Sequence, residues 1–237
     1  MERLDKILAL QLNISRKDVK ELVKKGRIKV NEVIVKDSGF KIDIDEDNLT
    51  FDNEIVPLKK HIYIMMNKPK GVVSASDGEK EKTVVDLVPQ SLYRKGLFPA
   101  GRLDKDTTGF VLLTDDGDFA HKILSPKNHI YKTYIAELKS PLSDENIEKL
   151  QNGITLLDGT HLKESKVRVL NNYEKPMAEI VICEGKYHQV KRMFAAIGNK
   201  VVNLKRIKMG NLELDLSLKL GECREITPLE LEKITEK

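Results

Sequence analysis

Between Gly101 and Gly109 the chain reads Gly-Arg-Leu-Asp-Lys-Asp-Thr-Thr-Gly, followed at once by the apolar run Phe110-Val111-Leu112-Leu113. Glycine at both ends suits a tight loop, and loops on a rigid scaffold are where side chains are presented to substrates. Asp104 stands between Arg102 and Lys105, cations that favour a carboxylate over the neutral acid. An ionised carboxylate is a competent nucleophile or base. The same residues also make an ordinary polar turn, the usual fate of clustered Asp, Thr and Gly. Asp104, Asp106, Thr108 and Gly109 fit the first half of a calcium loop, but the later ligand positions fall on an apolar run and the last on Asp115 rather than a glutamate. No glycine-rich phosphate loop of the nucleotide-binding kinds occurs. His61, His121, His129, His161 and His188 show no ligand spacing, so no metal is expected.

The elements that must carry this loop can be read from periodicity. Phe110 to Thr114 is predicted as a buried strand, and Lys132 to Leu138 alternates as a half-exposed one. A strand from His61 to Asn67 opens this larger region. Ser143 to Asn152 is predicted as a helix with acids in its first turn and Gly153 past its end. Strands are expected at Lys166–Leu170 and Met177–Cys183, and a helix from His188 to Ile197 stopped by Gly198. Thr227-Pro228-Leu229-Glu230 is a capping box with proline at the first helical position. Strands with interspersed helices and no regular βαβ alternation argue for an α+β fold around a largely antiparallel sheet.

The first forty residues read as a separate compact unit. Leu4, Ile7 and Leu8 have helical spacing, and Ser15 with Asp18 makes a capping box for a helix through Lys25. Val19, Leu22 and Val23 form its apolar stripe, and Arg16, Lys17, Lys20, Lys24 and Lys25 its wet face. Arg27 to Val30 and Val33 to Val35 read as paired strands around an Asn31-Glu32 turn. The acidic stretch Asp43 to Asn48 is expected to leave this unit as a loop, with a boundary near Pro57-Leu58-Lys59-Lys60.

Bulk properties set the limits. The 237 residues are 40% hydrophobic and 33% charged, enough for a core and for solubility. No apolar run approaches the ~20 residues that span a bilayer, and the start Met1-Glu2-Arg3-Leu4-Asp5-Lys6 has no secretory pattern. Cys183 and Cys223 lack any paired spacing, which suits two reduced thiols in a cytoplasmic protein. The net charge of +4 says little by itself, but its distribution is uneven. Residues 1–41 hold 11 basic against 6 acidic side chains, residues 42–60 hold 2 against 6, and residues 183–210 hold 7 against 1. Two basic zones around an acidic one suit two surfaces that meet a polyanion, and equally suit solvated lysine-rich faces.

The loop, taken with other segments in order, resembles the bacterial ribosomal RNA pseudouridine synthases. Gly101-Arg102-Leu103-Asp104 with Asp106-Thr107-Thr108-Gly109 is similar to that family's signature. Met66-Asn67-Lys68-Pro69-Lys70-Gly71 resembles the opening of its catalytic domain, and Lys132-Thr133-Tyr134 its K-x-Y element. Glu184-Gly185-Lys186-Tyr187-His188-Gln189-Val190-Lys191-Arg192-Met193 resembles its third motif. Residues 1–41 are similar to the S4-type RNA-binding module that these enzymes carry in front. The Tyr187-His188 and Lys191-Arg192 pairings resemble the small-subunit (16S) branch.

The resemblance implies a small S4-like α/β module over 1–58, then a catalytic domain over 59–237 built on a mostly antiparallel mixed sheet flanked by helices. It implies isomerisation of a 16S rRNA uridine to pseudouridine, with uridine 516 the expected target, without a cofactor or metal; the alternatives are a synthase acting on 23S rRNA and a non-catalytic S4-type RNA-binding ribosome-assembly protein. The substrate would be ribosomal RNA in an assembling small subunit, and the enzyme a monomer with no membrane partner. Asp104 would be the nucleophile or base, Tyr134 the stacking tyrosine, Lys191 the partner of Asp104 with Arg192 its near alternative, and Arg102 the residue that expels the target base. RNA contacts would come from Arg3, Arg16, Lys17, Lys20, Lys24 and Arg27 in the first module. In the second they would come from Lys186, His188, Gln189, Arg192, Lys205 and Arg206.

Overall fold

The computed structural model describes residues 1–171 and 173–236. The chain divides into two units. One is Met1–Ile62 together with Gln90–Leu97, and the other is Tyr63–Pro89 together with the chain from Phe98 onward. No helix among the described residues is long and apolar enough to cross a membrane.

In the first unit Ser15 caps the helix Arg16–Lys24. Its Oγ accepts from Asp18 N at 3.1 Å while its own backbone N donates to Asp18 Oδ2 at 3.1 Å, so two of the N–H groups orphaned at the helix start are satisfied reciprocally. The helix buries Val19 and Val23 against Leu4, Ile7 and Leu8 of the helix Leu4–Gln11 and against Ile28, Ile42 and Leu49. Lys17, Lys20 and Lys24 stay on the exposed face. Beneath lies an antiparallel sheet in the order Val33–Ile34, Ile28–Val30, Leu49–Phe51, Glu54–Ile55.

That order corrects one expectation. Asp43 to Asn48 does not leave the unit; it turns the chain back so that Leu49–Phe51 pairs with Ile28–Val30. The acids serve the turn itself, with Asp43 N donating to Asp47 Oδ2 at 2.7 Å and Asn31 Nδ2 to Asp47 Oδ1 at 2.8 Å. Beyond the last strand, Arg94 is buried and donates from Nη2 to Lys59 O at 2.8 Å, which accounts for the return of Gln90–Leu97 to this unit.

The second unit is a nine-stranded sheet among the described residues. Its main path runs Lys166–Leu170, Met177–Ile182, Lys132–Leu138, Val201–Met209, Thr108–Thr114, Tyr63–Lys68, Cys223–Glu225. Its pairings are antiparallel except the one between Val201–Met209 and Thr108–Thr114. The strand Val201–Met209 was not legible as an element, yet it joins the two halves. Phe110, Val111, Leu112 and Leu113 are fully buried, as expected of a strand covered on both faces. Met65, Phe110 and Leu112 pack with Ala120 and Ile123 of the helix Gly117–Leu124 and Ile234 of the helix Pro228–Thr235. The helix Gln189–Ala196 buries Met193 and Phe194, each contributing ~1.5–3 kcal/mol by removal from water.

Candidate active site

The loop after Gly101 is held from below. Gly101 and Gly109 both take positive φ, +94° and +98°, which side chains with a Cβ rarely adopt. Gly109 has a second reason to be glycine. It lies opposite Arg206 in the parallel pairing with Val201–Met209, and a Cβ there would collide with the Arg206 carbonyl oxygen. Under the loop, the fully buried Lys68 donates from Nζ to four backbone carbonyls: Pro69 at 3.1 Å, Asp104 at 3.1 Å, Lys105 at 3.2 Å and Thr107 at 2.9 Å. Burial pushes its pKa down to about 8, against the opposing pull of Asp106 and Asp104. Ser74 Oγ bridges the N–H and carbonyl of Leu103, both at 3.1 Å, and Gly71 N donates to Lys105 O at 2.8 Å.

The Asp104 carboxylate emerges from this clamp with 22% of its side chain exposed. Lys191 Nζ lies 2.9 Å from its Oδ2 and 2.5 Å from Asp106 Oδ1, and His188 Nε2 lies 3.4 Å from Asp104 Oδ1. Burial works against the charge on Lys191, but Asp106 and Asp104 outweigh it and hold its pKa above the ordinary lysine value. Lys191 in turn holds the Asp106 carboxyl below its usual range. Arg192, one residue on and about 100° around the helix, points instead to Asp158 and donates from Nη1 to Tyr187 O at 3.3 Å. Arg102, Asp104, Tyr134, His188, Gln189 and Leu204 line one recess. Tyr134 is 8% exposed in its floor, and Arg102 is exposed with no side-chain partner among the described residues.

Several of the anticipated RNA contacts sit differently. Arg206 is 3% exposed, with Nε donating to Phe110 O at 2.7 Å. It ties strand to strand and does not reach a surface phosphate, because it pairs with Tyr134 and faces inward. Lys205, its neighbour in the strand, projects to the sheet face opposite Tyr134, since successive side chains alternate. Gln189 is buried too; its Oε1 accepts from Lys186 N at 2.9 Å. In the first unit Arg3 and Arg16 both engage the buried carboxylate of Asp5, at 3.0 and 2.8 Å, and Arg27 pairs with Asp52. Lys186 is exposed, with Nζ 3.2 Å from His161 O. Lys105, read as a flanking cation of Asp104, pairs with Glu81.

Sequence reasoning passed over Lys68, Asp106 and Asp158 as site-building residues. A lysine closing an apolar strand was the available signal for Lys68; nothing local marks Asp158, which lies 34 residues from Arg192.

A family model described as RNA pseudouridylate synthase matches residues 62–196, and an S4 domain model matches residues 2–48. A Bacillus subtilis protein named as an uncharacterized RNA pseudouridine synthase is 46% identical over 235 residues, covering 99% of this chain and 98% of its own. The ribosomal small subunit pseudouridine synthase A of Haemophilus influenzae is 41% identical over 234 residues, 98% of this chain and 99% of its own. A crystal structure of a pseudouridylate synthase superposes with a TM-score of 0.68 at 39% identity, over 99% of this chain and all of that one. Matched this way along almost its whole length, and with a clamped loop that sets Asp104 and Asp106 against Lys191, the chain belongs to the RNA pseudouridylate synthase family, with an S4 domain in front.

Proposed function

We propose that the chain isomerises a uridine of 16S ribosomal RNA, with uridine 516 as the target and an assembling small subunit as the substrate, and that it acts as a cytoplasmic monomer. The end-to-end similarity to a small-subunit synthase supports that choice of RNA. The reaction breaks the bond between ribose C1′ and uracil N1, turns the base, joins C1′ to C5, gives up the C5 proton to solvent and leaves N1 carrying a proton in its place, so atoms balance. It is redox-neutral, so the protein has to bind, orient and move protons.

Asp104 starts the reaction as nucleophile or base. The observation that carries this role is the Lys191 ammonium 2.9 Å from its carboxylate inside the recess, which holds the negative charge in place and in one orientation. Tyr134, in the floor of the same recess, stacks on the extruded uracil and recovers part of the unstacking cost. Arg102, free at the rim, takes the place of the base in the RNA. Lys17, Lys20 and Lys24 of the S4 domain meet phosphates in a salt-dependent contact.

Asp104→Asn is the direct test. It should abolish tritium release from RNA labelled at uridine C5 while RNA binding persists; undiminished release would refute the assignment. Mapping pseudouridines on 16S and 23S RNA, with and without the protein, decides the target.

A further inference from the structure

We propose that Tyr187 is a stacking platform for the nucleobase next to the target uridine, a second base subsite outside the recess. The inference rests on the reading that Asp104 is the reacting carboxylate. Three observations meet at Tyr187. Its ring lies parallel to that of His188, with centroids 3.8 Å apart and planes 19° apart. It is 75% exposed, so with one face on His188 the other is open to solvent. His188 itself reaches Asp104, Nε2 to Oδ1 at 3.4 Å. A polar contact and then a ring stack thus lead from the carboxylate to an exposed aromatic ring.

The backbone beneath the platform is held in place. His188 takes a left-handed backbone conformation, φ +48°, which costs a non-glycine residue free energy and persists only where its surroundings impose it. Here Gln189 N donates to Lys186 O at 3.1 Å, Gln189 Oε1 accepts from Lys186 N, and Arg192 Nη1 grips Tyr187 O. The turn therefore fixes the backbone from which the Tyr187 ring projects, and the His188 ring is what it rests on. The hydroxyl of Tyr187 has no partner among the described residues, so no hydrogen bond within the protein accounts for the ring's position.

The ligand chemistry follows from the reaction. Extruding a uridine leaves the adjacent base without a stacking partner. A flat, sequence-tolerant aromatic face beside the reacting carboxylate restores one. The exposed Lys186 immediately before Tyr187 supplies positive charge for the phosphate that follows the stacked base.

The chain contains no tryptophan, so Tyr187→Trp places a lone tryptophan at this point, one that can be excited selectively over the remaining tyrosines. Titration with a 16S RNA fragment carrying the mapped uridine should strongly quench its emission. The same fragment made abasic at the nucleotide on one side of the target should not. For turnover, Tyr187→Ala should raise KM about 5- to 150-fold, the range expected for one lost stack, with a smaller loss in kcat, while Tyr187→Phe should stay near wild type. On the wild-type enzyme the abasic fragment should reproduce the KM rise, and on Tyr187→Ala it should add nothing further.

Quenching that survives both abasic substitutions, a KM for Tyr187→Ala within about twofold of wild type, or fully additive effects would each overturn the proposal. If the wild-type enzyme releases no tritium, the functional reading fails instead, whatever the fluorescence shows.

Discussion

Lys68 and Asp104 are joined through the backbone: the Lys68 ammonium donates to the Asp104 carbonyl at 3.1 Å and leaves the carboxylate to Lys191. One buried cation thus fixes where the Asp104 side chain starts, and a second, partly exposed one sets where it points. The division has consequences that mutation can separate.

Lys68→Met removes a donor shared by four backbone carbonyls. Asp104 O keeps Thr107 N and Lys105 O keeps Gly71 N, so the loss falls on the carbonyls of Pro69 and Thr107 and should destabilise the second unit by roughly 1–3 kcal/mol. Urea unfolding should show a lower midpoint. Enzyme folded at low temperature should lose kcat more than RNA affinity, because the loop it organises presents Asp104. A variant as stable as wild type would mean the loop is held adequately by Ser74 and Gly71 alone.

Lys191 and Arg192 are adjacent but serve different carboxylates, Asp104 and Asp158. Lys191→Met should therefore lower kcat by about 100- to 1000-fold, the range seen when one preorganised donor is lost. Arg192→Ala should give a smaller loss, expressed mainly in KM. Steady-state kinetics on both variants checks the ordering, and a larger kcat loss for Arg192→Ala would reverse it.

What the sequence made legible was local. The capping boxes at Ser15 and Thr227 depend on a pair of residues three apart, and both are present in the structure. The strand Lys132–Leu138 announced itself by alternation and has those same bounds. Val201–Met209 escaped because Lys205, Arg206 and Lys208 break its apolar pattern; read as charge, they suggested a phosphate surface. Arg206 is buried because Phe110 O, 96 residues away, accepts from it, and no local window contains that partner. The acidic turn at Asp43 to Asn48 misled for the same reason: its function depends on Asn31 and on Leu49–Phe51 returning to Ile28–Val30. For the site, Asp104, Tyr134 and Lys191 are singled out by the family resemblance, since the residues of the loop alone read equally as a polar turn; the clamp beneath them is built of backbone carbonyls, which have no residue-type signature.

Asp5 anchors the first unit by a route composition does not show. Its side chain is 1% exposed between Arg3 and Arg16. The Arg3 hydrogen bond first, and then Arg16, outweigh the opposing effect of burial and hold its pKa down to about 2. A carboxyl depressed in the folded state contributes stability above its unfolded pKa, and that stability is lost as pH falls from about 4 towards 2. Because both arginines are half exposed, the contribution should be about 1–2 kcal/mol. Asp5→Asn should lower the unfolding midpoint of the first unit at pH 7 and flatten its dependence on pH across that window. An unchanged acid profile would show that the ion pairs contribute nothing.

Lys132 offers the opposite sign. It is 6% exposed on the strand that carries Tyr134, and its side chain has no hydrogen-bond or ion-pair partner among the described residues. Burial, and secondarily Arg206, push its pKa down to about 8. The unfolded lysine keeps its proton to about 10.5. Between pH 8 and 10 the unfolded state therefore binds the extra proton, and this group makes the fold more stable as pH rises. Lys132→Met keeps the length of the side chain and removes the charge. It should be more stable than wild type at pH 7, by up to about 3 kcal/mol, and the gap should close as pH approaches 10. Thermal unfolding of both proteins at pH 7, 8.5 and 10 measures the gap directly. A variant less stable than wild type at pH 7 would show that the ammonium is stabilised where it lies, and that burial does not set its proton affinity.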